Sequence, residues 1–222
     1  MDFERARFNM IEQQIRPWSV LDPDVLALLS AVRREDFVPP TMRAMAFADL
    51  ELPLMIDGKA TGEVMLAPKL EARLLQELRV KHHETVLEIG TGSGHMAALL
   101  ARQARHVDTL EVHPGLAAFA RSNLARAAVG NVTVTDADGS RDHAALPTYD
   151  VIMLSGSVAR VPESLLGKLN PGGRLIAIEG DLPVMHARLY TLSTAGGLTT
   201  QTLFETVAQR LHGFVATPAF AF

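Results

Sequence analysis

The segment that most constrains this chain is Glu88-Ile89-Gly90-Thr91-Gly92-Ser93-Gly94, because it stands between the short apolar run TVLEI at 85–89 and the helix-like stretch MAALLARQA. A brief apolar run that ends in glycines reads as a buried strand, and apolar residues recurring every three to four positions read as a helix. Beyond this turn the rhythm continues: strand VDTLEV, helix LAAFARSNLARAA, strand NVTV and strand YDVIML. Strands that alternate with helices need crossover connections, and crossovers make parallel sheets. The sequence therefore specifies a Rossmann-like α/β fold with a mostly parallel sheet. Pro162 opens a short helix, PGG at 171–173 turns the chain, and RLIAI at 174–178 supplies a further strand. LYTLST and LTTQTLFETV flank Ala195-Gly196-Gly197, which predicts a C-terminal antiparallel hairpin around a glycine turn.

A helical N-terminal extension precedes that core. Phe8, Ile11 and Ile15 keep helical spacing until Pro17 stops the pattern. Asp22-Pro23 is an N-cap followed by a first-turn proline, and Val25, Leu26, Leu28, Leu29 and Val32 give a second helix its buried stripe. Pro39 and Pro40 close this part. Residues 41–66, with Pro53, Gly58 and Gly62, hold no sustained period and read as loop, with room for one short strand. Leu70, Leu74 and Leu78 then place one more helix between Pro68 and the first strong strand.

Composition removes several classes of function. The chain has no cysteine, which excludes disulfides, thiolate metal sites and cysteine nucleophiles. Its eight histidines show no ligand spacing, so no metal is expected. A net charge of −4 offers no general attraction to polyanions, and nucleic acid is not expected as a partner. No apolar run reaches the roughly 18 residues of a membrane span, and MDFERARFNM is not a secretory leader, which points to the cytoplasm. Trp18, just beyond a helix stop, reads as a packing anchor between segments.

The chemistry concentrates at the carboxyl ends of three successive strands, where open α/β sheets hold their ligands. Gly90, Thr91, Gly92, Ser93 and Gly94 form a G-x-G-x-G turn that lets a ligand approach backbone N–H groups. This is not the G-x-G-x-x-G of dinucleotide sites, and Glu88 lies two residues ahead of it. A carboxylate there repels a pyrophosphate but suits the ammonium of an amino acid, so the loop favours a methionine moiety over a nicotinamide dinucleotide. Glu111, nineteen positions beyond Gly92, is placed to accept both hydroxyls of a ribose. Asp138, with Gly139 after it, is placed to accept from an adenine amino group, or else to cap its own turn. Together these residues describe a site for S-adenosylmethionine and its product S-adenosylhomocysteine.

With those residues in hand, the chain resembles the protein-L-isoaspartate O-methyltransferases as far as about Glu205. The resemblance rests on RARFNMIEQQI, DPDVLALLSAVRREDFVPP, AFADLELPL, VLEIGTGSGHMAALLA, YDVIML and LNPGGRLIAIEG, in that order. It implies a class I methyltransferase fold, with the cofactor held by Glu88 to Gly94, by Glu111 and by Asp138. At 222 residues the chain reads as one domain over 1–222, divided into a helical extension and acceptor-side loop at 1–80 and a Rossmann-like core at 81–215. The family carries a serine at the methyl-transfer centre, the fifth residue of a seven-residue stretch that begins with glycine and ends with proline. Here that stretch is Gly62-Glu63-Val64-Met65-Leu66-Ala67-Pro68, and Leu66 stands where the serine is expected. No catalytic side chain is thereby assigned. The acceptor, protein or small molecule, stays open, and a silent cofactor-binding paralogue working through partner contacts is the alternative. The apolar run Phe214 to Phe222 suits either a homodimer contact or a cover for the chain's own sheet.

Overall fold

In the computed structural model, which describes residues 2–214, the N-terminal extension is helical from its first residues. Asp2 accepts from the Arg5 N–H (3.1 Å) and starts α1, Phe3–Met10. The coil then widens into a π turn at Ile11–Ile15 and tightens into a 3₁₀ turn at Arg16–Trp18, which absorbs Pro17. Asp22 caps the N–H groups of Asp24 and Val25 to begin α2, Pro23–Ala31, as the Asp-Pro pair predicts.

The next stretch corrects the sequence reading. Residues 41–66 contain a two-stranded antiparallel hairpin, β1 at Leu52–Ile56 and β2 at Lys59–Met65. Its turn is Asp57-Gly58, with φ of 50° and 75°, the left-handed pair that a two-residue hairpin requires. The Asp-Gly pair carried this signal; KATGEVM has too few apolar residues to mark a strand by alternation. From Met65 the chain enters α3, Pro68–Leu78, which buries Leu70, Leu74, Leu75 and Leu78.

The core follows in the expected alternation: β3 Thr85–Ile89, α4 His95–Gln103, β4 His106–Glu111, α5 Pro114–Arg126, β5 Val132–Asp136 and β6 Tyr149–Val158. A single helical turn, α6 at Glu163–Leu166, leads to β7, Leu169–Asp181, and then β8, Val184–Leu192, and β9, Leu198–Thr206. The sheet order is β5-β4-β3-β6-β7-β8-β9; β3 to β7 are mutually parallel neighbours and the last two pairings are antiparallel. A second correction concerns PGG at 171–173, which does not turn the chain back. β7 begins before it and carries it as a bulge, with Tyr149 opposite Leu169 but Val151 opposite Arg174. Gly173 lies so close to β6 that a Cβ would meet the Asp150 carbonyl at 2.9 Å.

Side chains alternate between the two faces of the sheet. Val86, Val151 and Met153 join α3, α4 and the N-terminal helices in one buried cluster, and Leu87, Ile152 and Leu154 face a second, smaller one. Each such buried aliphatic side chain contributes roughly 1.5–3 kcal/mol. The chain runs from β3 outward to β5, then returns to β6 on the other side of β3. That reversal opens a crevice at the strand ends between β3 and β6. No helix among the described residues is long and apolar enough to cross a membrane. The apolar run from residue 215 onward lies outside the described residues, whereas Phe214 is buried in the smaller cluster.

Candidate functional site

Three glycines shape the turn from β3 to α4. Gly90, Gly92 and Gly94 have φ of 94°, 53° and 82°, conformations that residues with a Cβ rarely adopt. The loop is latched to the end of β4: the N–H groups of Gly90 and Thr91 donate to the Leu110 carbonyl, and the Thr91 and Thr109 hydroxyls share a 2.6 Å hydrogen bond. Space is as strict as conformation, since a Cβ on Gly90 would meet Leu211 Cδ2 at 2.8 Å.

Glu88 lies directly beneath this loop and is fully buried. Its two carboxyl oxygens accept from Thr109 Oγ1 and Ser155 Oγ, each at 2.7 Å, and it makes no ion pair among the described residues. Burial dominates and the hydroxyl bonds offset it only in part, so its carboxyl is pushed up to about 8. Glu111, at the end of β4, accepts from the Gly92 N–H (2.7 Å) and the His113 N–H (3.0 Å). Burial raises its carboxyl as well, against the pull of those backbone donors.

Asp138 shows the turn-capping geometry, one of the two roles expected of it. Its Oδ1 accepts from the backbone N–H and hydroxyl of Ser140, and its Oδ2 from Arg141 Nε. Desolvation opposes ionisation there, but the Ser140 and Arg141 hydrogen bonds outweigh it and hold the carboxyl below its ordinary range. The carboxylate thus caps its own turn, while its neighbours Ala137 and Gly139 line the cleft. A Cβ at Gly139 would collide with Ile89 Cγ2 at 2.2 Å.

The cleft consists of two small adjoining cavities. One, ≈ 60 Å³, is lined by Glu111, Ile89, Gly139, Leu211 and His212 among others; the second, ≈ 20 Å³, is lined by Glu88, Glu71, Thr91, Ser93 and Leu66 among others. Val64, Gly90, Gly92 and Ser155 border both, so Ser155 stands at their junction. Leu66 is buried and lines the same small cavity as Glu88. Among the described residues, no three His, Asp or Glu side chains gather as metal ligands would.

Several site residues escaped the sequence reading. Ser155 follows the last residue of YDVIML on the strand next to β3, a position that the rule of ligands at strand ends could have flagged. The segment after β9 closes the cleft: Gln209 Nε2 donates to the Gly62 carbonyl (2.8 Å), and His212 Nε2 contacts Glu63 Oε1 at 2.5 Å. Beneath Leu66 lies a buried cluster of Arg34, Glu71 and His95. Arg34 pairs with Glu71 and donates to the carbonyls of Ala46 (2.9 Å) and Leu66 (2.6 Å). His95 Nδ1 lies 3.0 Å from Glu71 Oε2. Burial alone would raise Glu71; Arg34 and His95 more than offset it and lower it.

A family model described as protein-L-isoaspartate(D-aspartate) O-methyltransferase matches residues 5–195. A protein-L-isoaspartate O-methyltransferase of Methanoculleus marisnigri is 38% identical over 79% of this chain and 78% of its own length. One from Rhodopseudomonas palustris is 40% identical over 75% of this chain and 74% of its own. A crystal structure from Plasmodium falciparum, described as a protein-L-isoaspartate O-methyltransferase in complex with S-adenosyl-L-homocysteine, superposes with a TM-score of 0.74. It is 19% identical and covers 95% of this chain and 98% of that one, which speaks to the fold alone.

Proposed function

The chain belongs to the protein-L-isoaspartate(D-aspartate) O-methyltransferase family, and from that premise we propose that it methylates the free α-carboxylate of isoaspartyl residues in proteins. It is an S-adenosylmethionine-dependent methyltransferase of class I fold. The observation that carries the site assignment is the latched glycine loop with a fully buried carboxylate, Glu88, that has no cationic partner among the described residues. Such a group fits the cofactor's ammonium, and Glu111 at the mouth of the neighbouring cavity fits its ribose hydroxyls. Gly90, Thr91, Gly92, Ser93 and Gly94 cradle the chain between them, and Gly139 rather than the Asp138 side chain borders the purine end. The cavities are far smaller than the roughly 300 Å³ or more of a typical ligand cleft, so Leu211 and His212 give way on loading.

The cofactor supplies an electrophilic methyl group on a sulfonium. An isoaspartyl carboxylate has a pKa near 4 and is already an anion at neutral pH, so the protein needs no base to make the nucleophile. One carboxylate oxygen bonds to the methyl carbon, the carbon–sulfur bond breaks, and its electron pair stays on sulfur. The products are a methyl ester and S-adenosylhomocysteine. What the protein contributes is alignment, worth up to about 7–11 kcal/mol when geometry is held. Arg34 holds the Leu66 carbonyl, which fixes the backbone where a hydroxyl is missing.

Restoring that hydroxyl is the direct test. Leu66→Ser is expected to raise kcat on an isoaspartyl peptide roughly tenfold, the effect of one polar positioning contact, about 1.4 kcal/mol. The dissociation constant for S-adenosylhomocysteine, measured by calorimetry, should stay within about twofold, well inside that 1.4 kcal/mol step. Absence of S-adenosylhomocysteine binding in the wild type overturns the cofactor site; binding without methylation of the peptide in either protein overturns the isoaspartyl acceptor. The reading includes cytoplasmic residence, which cell fractionation checks.

A further inference from the structure

Ser164, His143 and the Gly139 carbonyl form a hydrogen-bonded chain that methyl transfer does not use. His143 sits in the 3₁₀ turn Asp142–Ala145 and is 3% exposed. Its Nδ1 lies 2.9 Å from the Gly139 carbonyl, and its Nε2 lies 3.0 Å from the hydroxyl of Ser164, the second residue of α6. These two contacts assign the tautomer. A carbonyl oxygen only accepts, so Nδ1 carries the proton; in the neutral ring Nε2 is then a bare lone pair, and the Ser164 hydroxyl donates to it. A serine in the first turn of a helix commonly turns its hydroxyl to the nearby backbone. Among the described residues Ser164 is the one serine whose hydroxyl meets an imidazole.

The surroundings hold these groups in place. Gly139 is seated so tightly on Ile89 of β3 that a Cβ would meet Cγ2 at 2.2 Å, which fixes the carbonyl that orients the ring. Lys168 Nζ donates to the carbonyls of Ala144 (2.7 Å) and Leu146 (2.6 Å) and so pins the turn that bears His143. The imidazole is thus buried and fixed, while Ser164 is exposed. A contact that only packed α6 against the turn would work as well with both groups covered; a nucleophile must be open on one side and have its base held on the other. A serine hydroxyl is a weak nucleophile alone and is activated by a hydrogen-bonded base that a third group orients. Here the third group is a carbonyl, which sets the tautomer and the ring's direction but brings no negative charge to stabilise an imidazolium. Such an arrangement suits attack on an ester with a good leaving group rather than on an amide.

We propose that Ser164, with His143 as its general base, is an acyl-accepting nucleophile that reacts with small activated carboxylic esters. Ser164 Oγ bonds to the acyl carbon as its proton passes to His143 Nε2. The carbon–oxygen bond of the ester breaks, its electron pair leaves with the alcohol oxygen, and that oxygen takes the proton from Nε2. The products are an acyl-serine and the free alcohol. This site needs no cofactor and goes beyond the isoaspartyl reading, which stands or falls separately.

The probe is para-nitrophenyl acetate, added to the full chain without cofactor. Absorbance follows the released nitrophenol, and peptide mass spectrometry locates the acetyl groups. Acetyl should accumulate on Ser164 at least about tenfold faster than on any other serine of the same molecules, a modest part of what general-base assistance provides. His143→Gln removes the base and should slow acetylation of Ser164 on the order of a hundredfold. Ser164→Ala should abolish the fast phase of nitrophenol release and leave acetylation of the lysines as it was. Urea unfolding midpoints report whether both variants fold; should His143→Gln not fold, the comparison among serines within the wild type decides alone. Acetyl confined to amino groups overturns the proposal, and so does labelling of Ser164 no faster than that of the other exposed serines. A folded His143→Gln that labels Ser164 at the wild-type rate overturns it as well, since Ser164 is then only an open hydroxyl.

Discussion

Glu88→Gln is expected to stabilise the cofactor-free protein at pH 8 while weakening its hold on S-adenosylhomocysteine. The carboxyl of Glu88 is raised from 4.5 to about 8 in the folded protein. A raised acid contributes stability in its protonated form that is whole below pH 4.5 and is lost as pH climbs through 8. Fully buried, Glu88 gets no relief from solvent, and a shift of this size costs on the order of 4 kcal/mol once the group must ionise. Glutamine stays neutral at every pH and can keep partners in Ser155 and Thr109. Urea unfolding should therefore show the variant and the wild type close together at pH 5 and apart by several kcal/mol at pH 8. Ligand binding should move the other way, because a charge-assisted contact to the ammonium is lost, about 1.5–3 kcal/mol or at least tenfold in affinity. Wild-type binding at pH 7 should also release a proton, visible as a dependence of the calorimetric enthalpy on buffer ionisation; its absence would mean that Glu88 does not meet the ammonium.

The second large effect belongs to Arg34. It is 2% exposed, and three of its nitrogens are committed: to Glu71, to the Ala46 carbonyl and to the Leu66 carbonyl. Arg34→Met removes the cation and leaves Glu71 buried without compensation, which typically costs about 3–5 kcal/mol. Adding Glu71→Gln should recover roughly half of that, since it cures the buried charge but not the two orphaned carbonyls. Chemical denaturation of the single and double variants measures both steps. A single-variant loss under about 1 kcal/mol would show that the pair is not what holds α3 against the Leu66 backbone.

What the sequence made legible was what adjacent residues encode together. The β3–glycine loop–α4 unit, Glu88 and Glu111 could be read because a strand, a turn and a charge at a strand end are local patterns. The sheet's parallel half followed from the alternation that brackets them. The Arg34–Glu71–His95 cluster could not be read this way. Its members stand 37 and 24 positions apart, and Glu71 interrupts an apolar helix face that otherwise gives no sign of a buried charge. The β1–β2 hairpin was different, because Asp57-Gly58 did announce it and the polar strand beside it masked the announcement. Asp138 allowed two readings from the sequence, a ligand contact and a turn cap, and its side chain bonds Ser140 within its own turn.

One feature of the cleft concerns timing rather than chemistry. Every strand among the described residues is complete by Thr206, yet the wall over the glycine loop comes from Gln209, Leu211 and His212. Acquiring the sheet and acquiring a place for the cofactor are therefore separable events. A single backbone cut between Thr206 and Gln209 would leave the strand ladder intact while removing the ceiling of the cleft. Such a molecule would keep the strands while losing the cleft, together with the core packing of Ala208 and Phe214.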